Sequence, residues 1–178
     1  MPIMIIDVHT HCWGFPEHFT SLFIEQAKRA KAGAKVDLAV RYDEYRVQAP
    51  ADTMTITFGG KAKLSGLWVD DRSVVEFVSN NPETLIGFLS VDPTQDGWEK
   101  ELRDGHEELG LRGIKLMPMY AGFLPDDRRL DPMWTYARDR QLPVLLHTGT
   151  TFVAQAPLNV TLPRHLDEVA IRFPEIKI

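Results

Sequence analysis

A short apolar run, Ile3-Met4-Ile5-Ile6, opens the chain and predicts a first strand that continues through Asp7 into Val8-His9-Thr10-His11. Phe19, Leu22, Phe23, Ala27 and Ala30 then recur at helical spacing, with Lys28, Arg29 and Lys31 near the end and Gly33 to stop the helix. Between Lys35 and Gly66 the pattern is less regular. Asp37-Leu38-Ala39-Val40 is expected as a short strand, and Thr53 to Phe58, which alternates Thr with Met54, Ile56 and Phe58, as a second. From Asp70-Asp71 onward the punctuation is clear. A helix runs through Val74, Val75 and Val78, followed by a buried strand from Leu85 to Val91, closed by Asp92-Pro93. A helix marked by Trp98, Leu102 and Leu109 leads to a strand at Ile114-Lys115-Leu116-Met117, closed by Pro118. A helix from Asp131-Pro132 leads to a strand at Val144-Leu145-Leu146-His147, and a helix with Leu166, Val169, Ala170 and Phe173 to a last strand beginning at Pro174.

Strands and helices therefore alternate at roughly thirty residues per unit, the size of a βα repeat in a parallel sheet. No Gly-x-Gly-x-x-Gly follows any strand, so a dinucleotide-binding open sheet has no support. His9 and His11, Asp92, Lys115 and His147 each fall at or near the C-terminal end of a strand, where a TIM-type (β/α)8 barrel gathers its chemistry. Such a barrel needs about 250 residues, and the pattern here holds five complete strands and the start of a sixth. The expectation is the N-terminal part of one α/β barrel domain across residues 1–178, truncated after about five strands, with an irregular lid-like excursion at 35–66. As a piece of a barrel, the chain alone is expected to be inactive and to expose apolar surface.

Composition narrows the picture further. The chain has 44% apolar residues and a formal charge of −5, and no basic stretch interleaved with aromatics, so a small-molecule substrate is expected and nucleic acid is not. The single cysteine, Cys12, fits a reducing compartment, and the cytoplasm is the simplest expectation. The opening apolar run is too short for a signal-peptide core or a membrane span.

His9 and His11 stand two apart on a strand and so present two imidazoles to one volume, a geometry that suits a metal ion. Four motifs extend this: Ile-Asp-Val-His-Thr-His at 6–11, Gly-Phe-Leu-Ser-Val-Asp-Pro at 87–93, Gly-Ile-Lys-Leu-Met-Pro at 113–118, and Pro-Val-Leu-Leu-His-Thr-Gly at 143–149. Together they resemble the amidohydrolase superfamily, and most closely its amidohydrolase-related branch, which includes aminocarboxymuconate semialdehyde decarboxylase and the resorcylate decarboxylases. The resemblance implies one divalent metal ion, zinc first and manganese second, with His9, His11 and His147 as ligands. It also implies a further histidine after strand six and an aspartate after strand eight, both beyond Ile178, so no catalytic acid or base is assigned within the chain. The implied chemistry is a metal-dependent hydrolase, with non-oxidative decarboxylation of an aromatic or muconate-type acid as the alternative and a catalytically incomplete fragment as the second. A homodimer is the candidate assembly of the complete enzyme.

Lys115 has two readings. By resemblance to dihydroorotase-like members it is a carboxylated lysine bridging two metals; otherwise its stem packs in the barrel and its amine pairs with Asp92. Trp13, Met119 and Tyr120 lie on loops at the metal end and are candidates to line a substrate pocket, as does Phe15. Arg41, Arg46, Lys61 and Lys63 belong to the excursion, and a lid carrying several cations suits a carboxylate-bearing substrate. His18 and His106 are expected as solvated helix-surface residues, His165 in the first turn of the last helix, and Cys12 as a packed side chain facing away from His11.

Overall fold

A computed structural model describes residues 5–178, so Ile3 and Met4 of the expected first strand lie outside the described residues. In chain order the elements are β1 (Ile5–His11), α1 (Ser21–Ala30), α2 (Tyr42–Gln48), β2 (Thr53–Phe58), the short strands β3 (Lys61–Ala62) and β4 (Leu67–Trp68), α3 (Asp71–Ser79), β5 (Leu85–Ser90), α4 (Trp98–Arg103), which runs into a π-helical turn at Asp104–Glu108, β6 (Ile114–Leu116), α5 (Pro118–Ala121), α6 (Asp131–Asp139), β7 (Val144–Leu146) and α7 (His165–Arg172). β1, β2, β5, β6 and β7 form one sheet in that order, every pair parallel, while β3 and β4 make a small antiparallel hairpin. Five parallel strands laid down in sequence order with helices between them are half of a TIM-type barrel.

The two faces of the sheet differ. Ile114, Leu116 and Val144 are essentially inaccessible and join Val74, Leu102, Met133, Trp134 and Ala137 of the helices in one core. Ile56, Ile86 and Leu145 point to the other face and are only half-buried, and Ile6 is 57% exposed. Local chemistry sets the helices in place. Thr20 caps α1 by accepting the Phe23 N–H, and Asp70 caps α3 by accepting the Arg72 N–H. Gly66, at φ +84°, lies so close to Thr20 that a Cβ would stand 2.0 Å from its hydroxyl, so the hairpin docks on the α1 cap only with glycine there. No helix among the described residues is long and apolar enough to cross a membrane.

Three expectations are corrected. Asp37–Val40 is not a strand: Asp37 accepts the Ala39 N–H at 3.0 Å and pairs with Arg41, a side-chain-locked turn that competes with a sheet ladder. The excursion is also more ordered than its pattern implied, since α2 and the β3–β4 hairpin lie within or beside it. Pro174–Ile178 forms no strand. A turn follows Phe173, and the segment reaches the sheet through the Val144 N–H, which donates to the Lys177 carbonyl at 2.9 Å.

Candidate metal centre

The site begins with an irregularity in β1. Asp7 pairs with Thr55 of β2 and Thr10 with Thr57, so three steps along β1 match two along β2, and the extra residue is a bulge. Ahead of it, Asp7 shares the face of Thr55; after it, Thr10 and Cys12 continue on that helix-packed face, and His9 and His11 turn to the open one. The Asp7 carboxylate holds the bulge. It accepts the His9 N–H at 3.0 Å, the Thr10 hydroxyl at 3.4 Å and the Tyr45 hydroxyl at 2.9 Å, and Tyr45 also bonds the Thr55 hydroxyl at 2.7 Å. α2 thus supplies the clamp that aims the histidine pair.

The ring of Phe58 is the common floor. His9 packs edge-on against it at 5.1 Å and His11 at 4.8 Å, the two imidazoles are 5.3 Å apart, and the Lys115 Nζ lies 4.5 Å from the Phe58 ring centre. Trp13 stacks on His11 at 3.7 Å and is itself fixed by its indole N–H, which donates to the Gly59 carbonyl at 2.6 Å. His147 enters from the end of β7. Its N–H donates to the Leu116 carbonyl and its carbonyl accepts from the Thr161 hydroxyl, both at 3.0 Å, and Tyr120 packs edge-on against its ring at 5.0 Å.

Electrostatics ties these groups together. Burial, and then the charge of Lys115, hold His11 down to about 3 and His147 down to about 4, with His9 adding to both; His9 is lowered for the same first two reasons. All three imidazoles are therefore neutral at pH 7, the form that binds metal. Four buried polar atoms at this end of the open face have no hydrogen-bond partner among the described residues: His11 Nδ1, Ser90 Oγ, Lys115 Nζ and His147 Nε2. Unpaired neutral imidazole nitrogens fit a divalent cation as ligands. The cage is not closed, however: among the described residues no three His, Cys, Asp or Glu side chains are gathered tightly enough to enclose an ion.

The remaining candidates are placed as follows. Asp92 does not pair with Lys115. The strand ends at Ser90, and the Asp92 carboxylate is taken up by the Lys63 N–H at 2.9 Å and by the Thr94 N–H and hydroxyl at 3.0 and 2.6 Å. Arg41 is exposed and pairs with Asp37 and Glu44, and Arg46 donates to the carbonyls of Pro50, Ala51 and Thr53 at the start of β2, the opposite end of the sheet from His11 and His147. Neither lines the site. Met119 is fully buried in α5, whereas Trp13 and Tyr120 flank the imidazoles. His18 is half-buried ahead of α1, not solvated, because its Nδ1 accepts the Gly14 N–H at 2.9 Å. His106 bonds the Tyr136 hydroxyl, and His165 lies between Asp126 and the Asn159 carbonyl. Cys12 packs in the core, where burial pushes its thiol up to about 12. Phe58, Ser90 and Tyr45 were not singled out from sequence. The one available signal was position, since Phe58 and Ser90 close the strands they end.

Comparison with known proteins places the chain. No curated protein matches it. Among solved structures, an uncharacterised TIM-barrel protein from Bordetella bronchiseptica superposes with a TM-score of 0.71 at 20% identity, over 98% of this chain and 65% of the other. 5-Carboxyvanillate decarboxylase from Novosphingobium aromaticivorans, with bound manganese and 3-methoxy-4-hydroxy-5-nitrobenzoic acid, gives 0.68 at 15% identity over 97% and 64%. 4-Oxalomesaconate hydratase from Rhodopseudomonas palustris gives 0.57 at 20% identity over 98% and 61%. The chain thus spans slightly under two thirds of the length of these structures, and at such identities the likeness is one of fold. The sequence model of the Amidohydrolase family matches residues 6–178, nearly the whole described chain, and the chain belongs to the amidohydrolase family.

Proposed function

We propose that this chain carries the metal-binding half of a metal-dependent hydrolase acting on a small organic carboxylate. One observation carries the reading: the unsatisfied His11, His147, Ser90 and Lys115 atoms gather at the C-terminal strand ends, where a barrel places its chemistry. His9, His11 and His147 would hold the ion, zinc first and manganese second. When bound, a divalent ion supplies Lewis acidity that acidifies a water molecule and polarises a carbonyl or carboxylate. The chain's own part is to keep the imidazoles neutral by burial, to aim two of them through the Asp7 bulge, and to shield them with Trp13 and Tyr120. Non-oxidative decarboxylation is the second reading, favoured by the likeness to 5-carboxyvanillate decarboxylase. A small-molecule substrate, a cytoplasmic setting and a homodimeric complete enzyme complete the proposal.

Elemental analysis of the purified protein and of three variants tests it. His9→Ala and His147→Ala should each lower metal affinity by about 10-fold or more, because a lost ligand removes both a bond and the geometry, while His106→Ala should keep the wild-type metal content. Undiminished stoichiometry in the His9 variant overturns the assignment. A paired assay for carbon dioxide release and for amide or lactone hydrolysis separates the two reactions.

A further inference from the structure

Three of the four cations that the sequence offered for binding an acidic substrate are already committed, and the fourth, Lys63, is exposed. Arg41 pairs with Asp37, Arg46 with three carbonyls, and Lys61 with Asp71 and Glu101 at 2.8 Å each. Lys115 is different. It is 1% exposed, its Nζ has no hydrogen-bond partner, and its neighbours are the Phe58 ring and imidazoles that carry no negative charge. Ser90, its register partner across β5 and β6, adds a second unsatisfied atom, a hydroxyl able to donate. A buried cation is costly without a counter-charge, and a folded protein supplies one from itself or takes one from a ligand. Among the described residues none is supplied to Lys115.

We infer that Lys115, with the Ser90 hydroxyl beside it, is the anion receptor of this site and takes the carboxylate of the substrate. The inference rests on the proposed function for the identity of the substrate, and on the geometry alone for the anion. The ammonium pairs with one carboxylate oxygen and the serine hydroxyl donates to the group, so the rest of the molecule is directed toward the imidazoles. His9, the most exposed of the three, marks the side of approach. The substrate class is then a small mono- or dicarboxylate, selected over its amide or ester isostere.

The probe is sodium benzoate against benzamide, its uncharged isostere, titrated calorimetrically at constant ionic strength into wild-type protein and into Lys115→Met and Lys115→Arg. Wild type should bind benzoate at least tenfold more tightly than benzamide. Lys115→Met should erase that preference, and Lys115→Arg, which keeps the charge, should restore part of it. In wild-type protein with 15N-labelled lysine, benzoate should move one lysine side-chain resonance and benzamide none, a reading that needs no variant. Repeating the titration after chelation separates this inference from the metal assignment. A preference that persists without metal and vanishes in Lys115→Met supports the receptor even if the metal reading fails. A preference that follows the metal and ignores Lys115→Met overturns the receptor and leaves the metal reading standing. Equal binding of the two probes by wild type, or a 13C-bicarbonate-derived carbamate on Lys115, which would make the residue itself an anion, also overturns it.

Discussion

Two lysines are buried in this half-barrel, and they are treated in opposite ways. Lys61, on β3, is 4% exposed; its amine meets Asp71 and Glu101 at 2.8 Å each, and the other Asp71 oxygen accepts the Ser90 N–H at 3.0 Å. Burial alone would lower its pKa, but the two carboxylates more than offset that and hold it above the ordinary lysine value. Lys115, on β6, is 1% exposed and meets no carboxylate among the described residues; burial pulls it down to about 8. Ser90 stands between the two, its backbone tied to the first network and its hydroxyl unsatisfied beside the second. The contrast teaches that burial of a cation does not by itself mark a functional group. What marks it is whether the chain has completed the charge.

The comparison can be broken most directly at Lys61. Asp71→Ala removes the buried partner, orphans the Ser90 N–H and leaves the amine with the half-exposed Glu101 alone, so it should cost about 3–5 kcal/mol in urea unfolding. A loss below about 1 kcal/mol would show that the network is no more structural than a surface ion pair.

Lys115→Met should act in the opposite direction and stabilise the ligand-free chain by about 1–3 kcal/mol at pH 7, because it removes an uncompensated buried charge. The wild-type pH dependence sharpens this. The folded chain gives up the Lys115 proton near pH 8 and the unfolded chain only near 10.5, so between those values the unfolded chain binds more protons and stability rises with pH. Below about 8 the burial cost is present in full; a fall from 10.5 to about 8 corresponds to about 3 kcal/mol. Urea midpoints for wild type should climb across that window, and those of Lys115→Met should lack the climb. An identical profile in the two proteins would contradict the unpaired-cation description.

The smallest effect is expected at Glu101. Its side chain is 38% exposed, so solvent screens its share of the pair, and Glu101→Gln should cost only about 0.5–1 kcal/mol. A loss as large as that of Asp71→Ala would place the main counter-charge of Lys61 on the wrong residue.

Much of the sheet was legible because parallel strands buried under helices read as continuous apolar runs, as at Leu85–Ser90 and Val144–Leu146. α2 was not, because it docks through hydroxyls: Tyr42 bonds Thr84 at 2.6 Å and Tyr45 bonds Asp7 and Thr55, so the helix has no buried apolar face to give a period. The two-residue strands of the hairpin are too short to show alternation at all. At the site, the histidines were visible as motifs, since a strand end and a two-residue spacing are local properties. The solitude of Lys115 was not, because it depends on Asp92 being claimed by Lys63 and Thr94, partners set by the turn after β5 and the β3–β4 hairpin. For the same reason the lid arginines misled: their number could be read from the chain, but not their engagement.

The bulge in β1 has a consequence for any comparison of this motif across chains. Asp7, His9 and His11 are evenly spaced, and simple alternation would present a carboxylate and two imidazoles to one side as a ready triad. The inserted residue resets the parity of the strand, so the carboxylate faces the helices as a brace while the imidazoles face the open side. Two sequences can therefore share the same letters at the same intervals and still differ in the charge they offer a ligand. A single-residue deletion at Val8 would bring β1 back into step with β2 and leave both histidines on the open side, with the carboxylate of Asp7 still on the other, so the even spacing of the three letters would be lost while the charge offered to a ligand stayed the same.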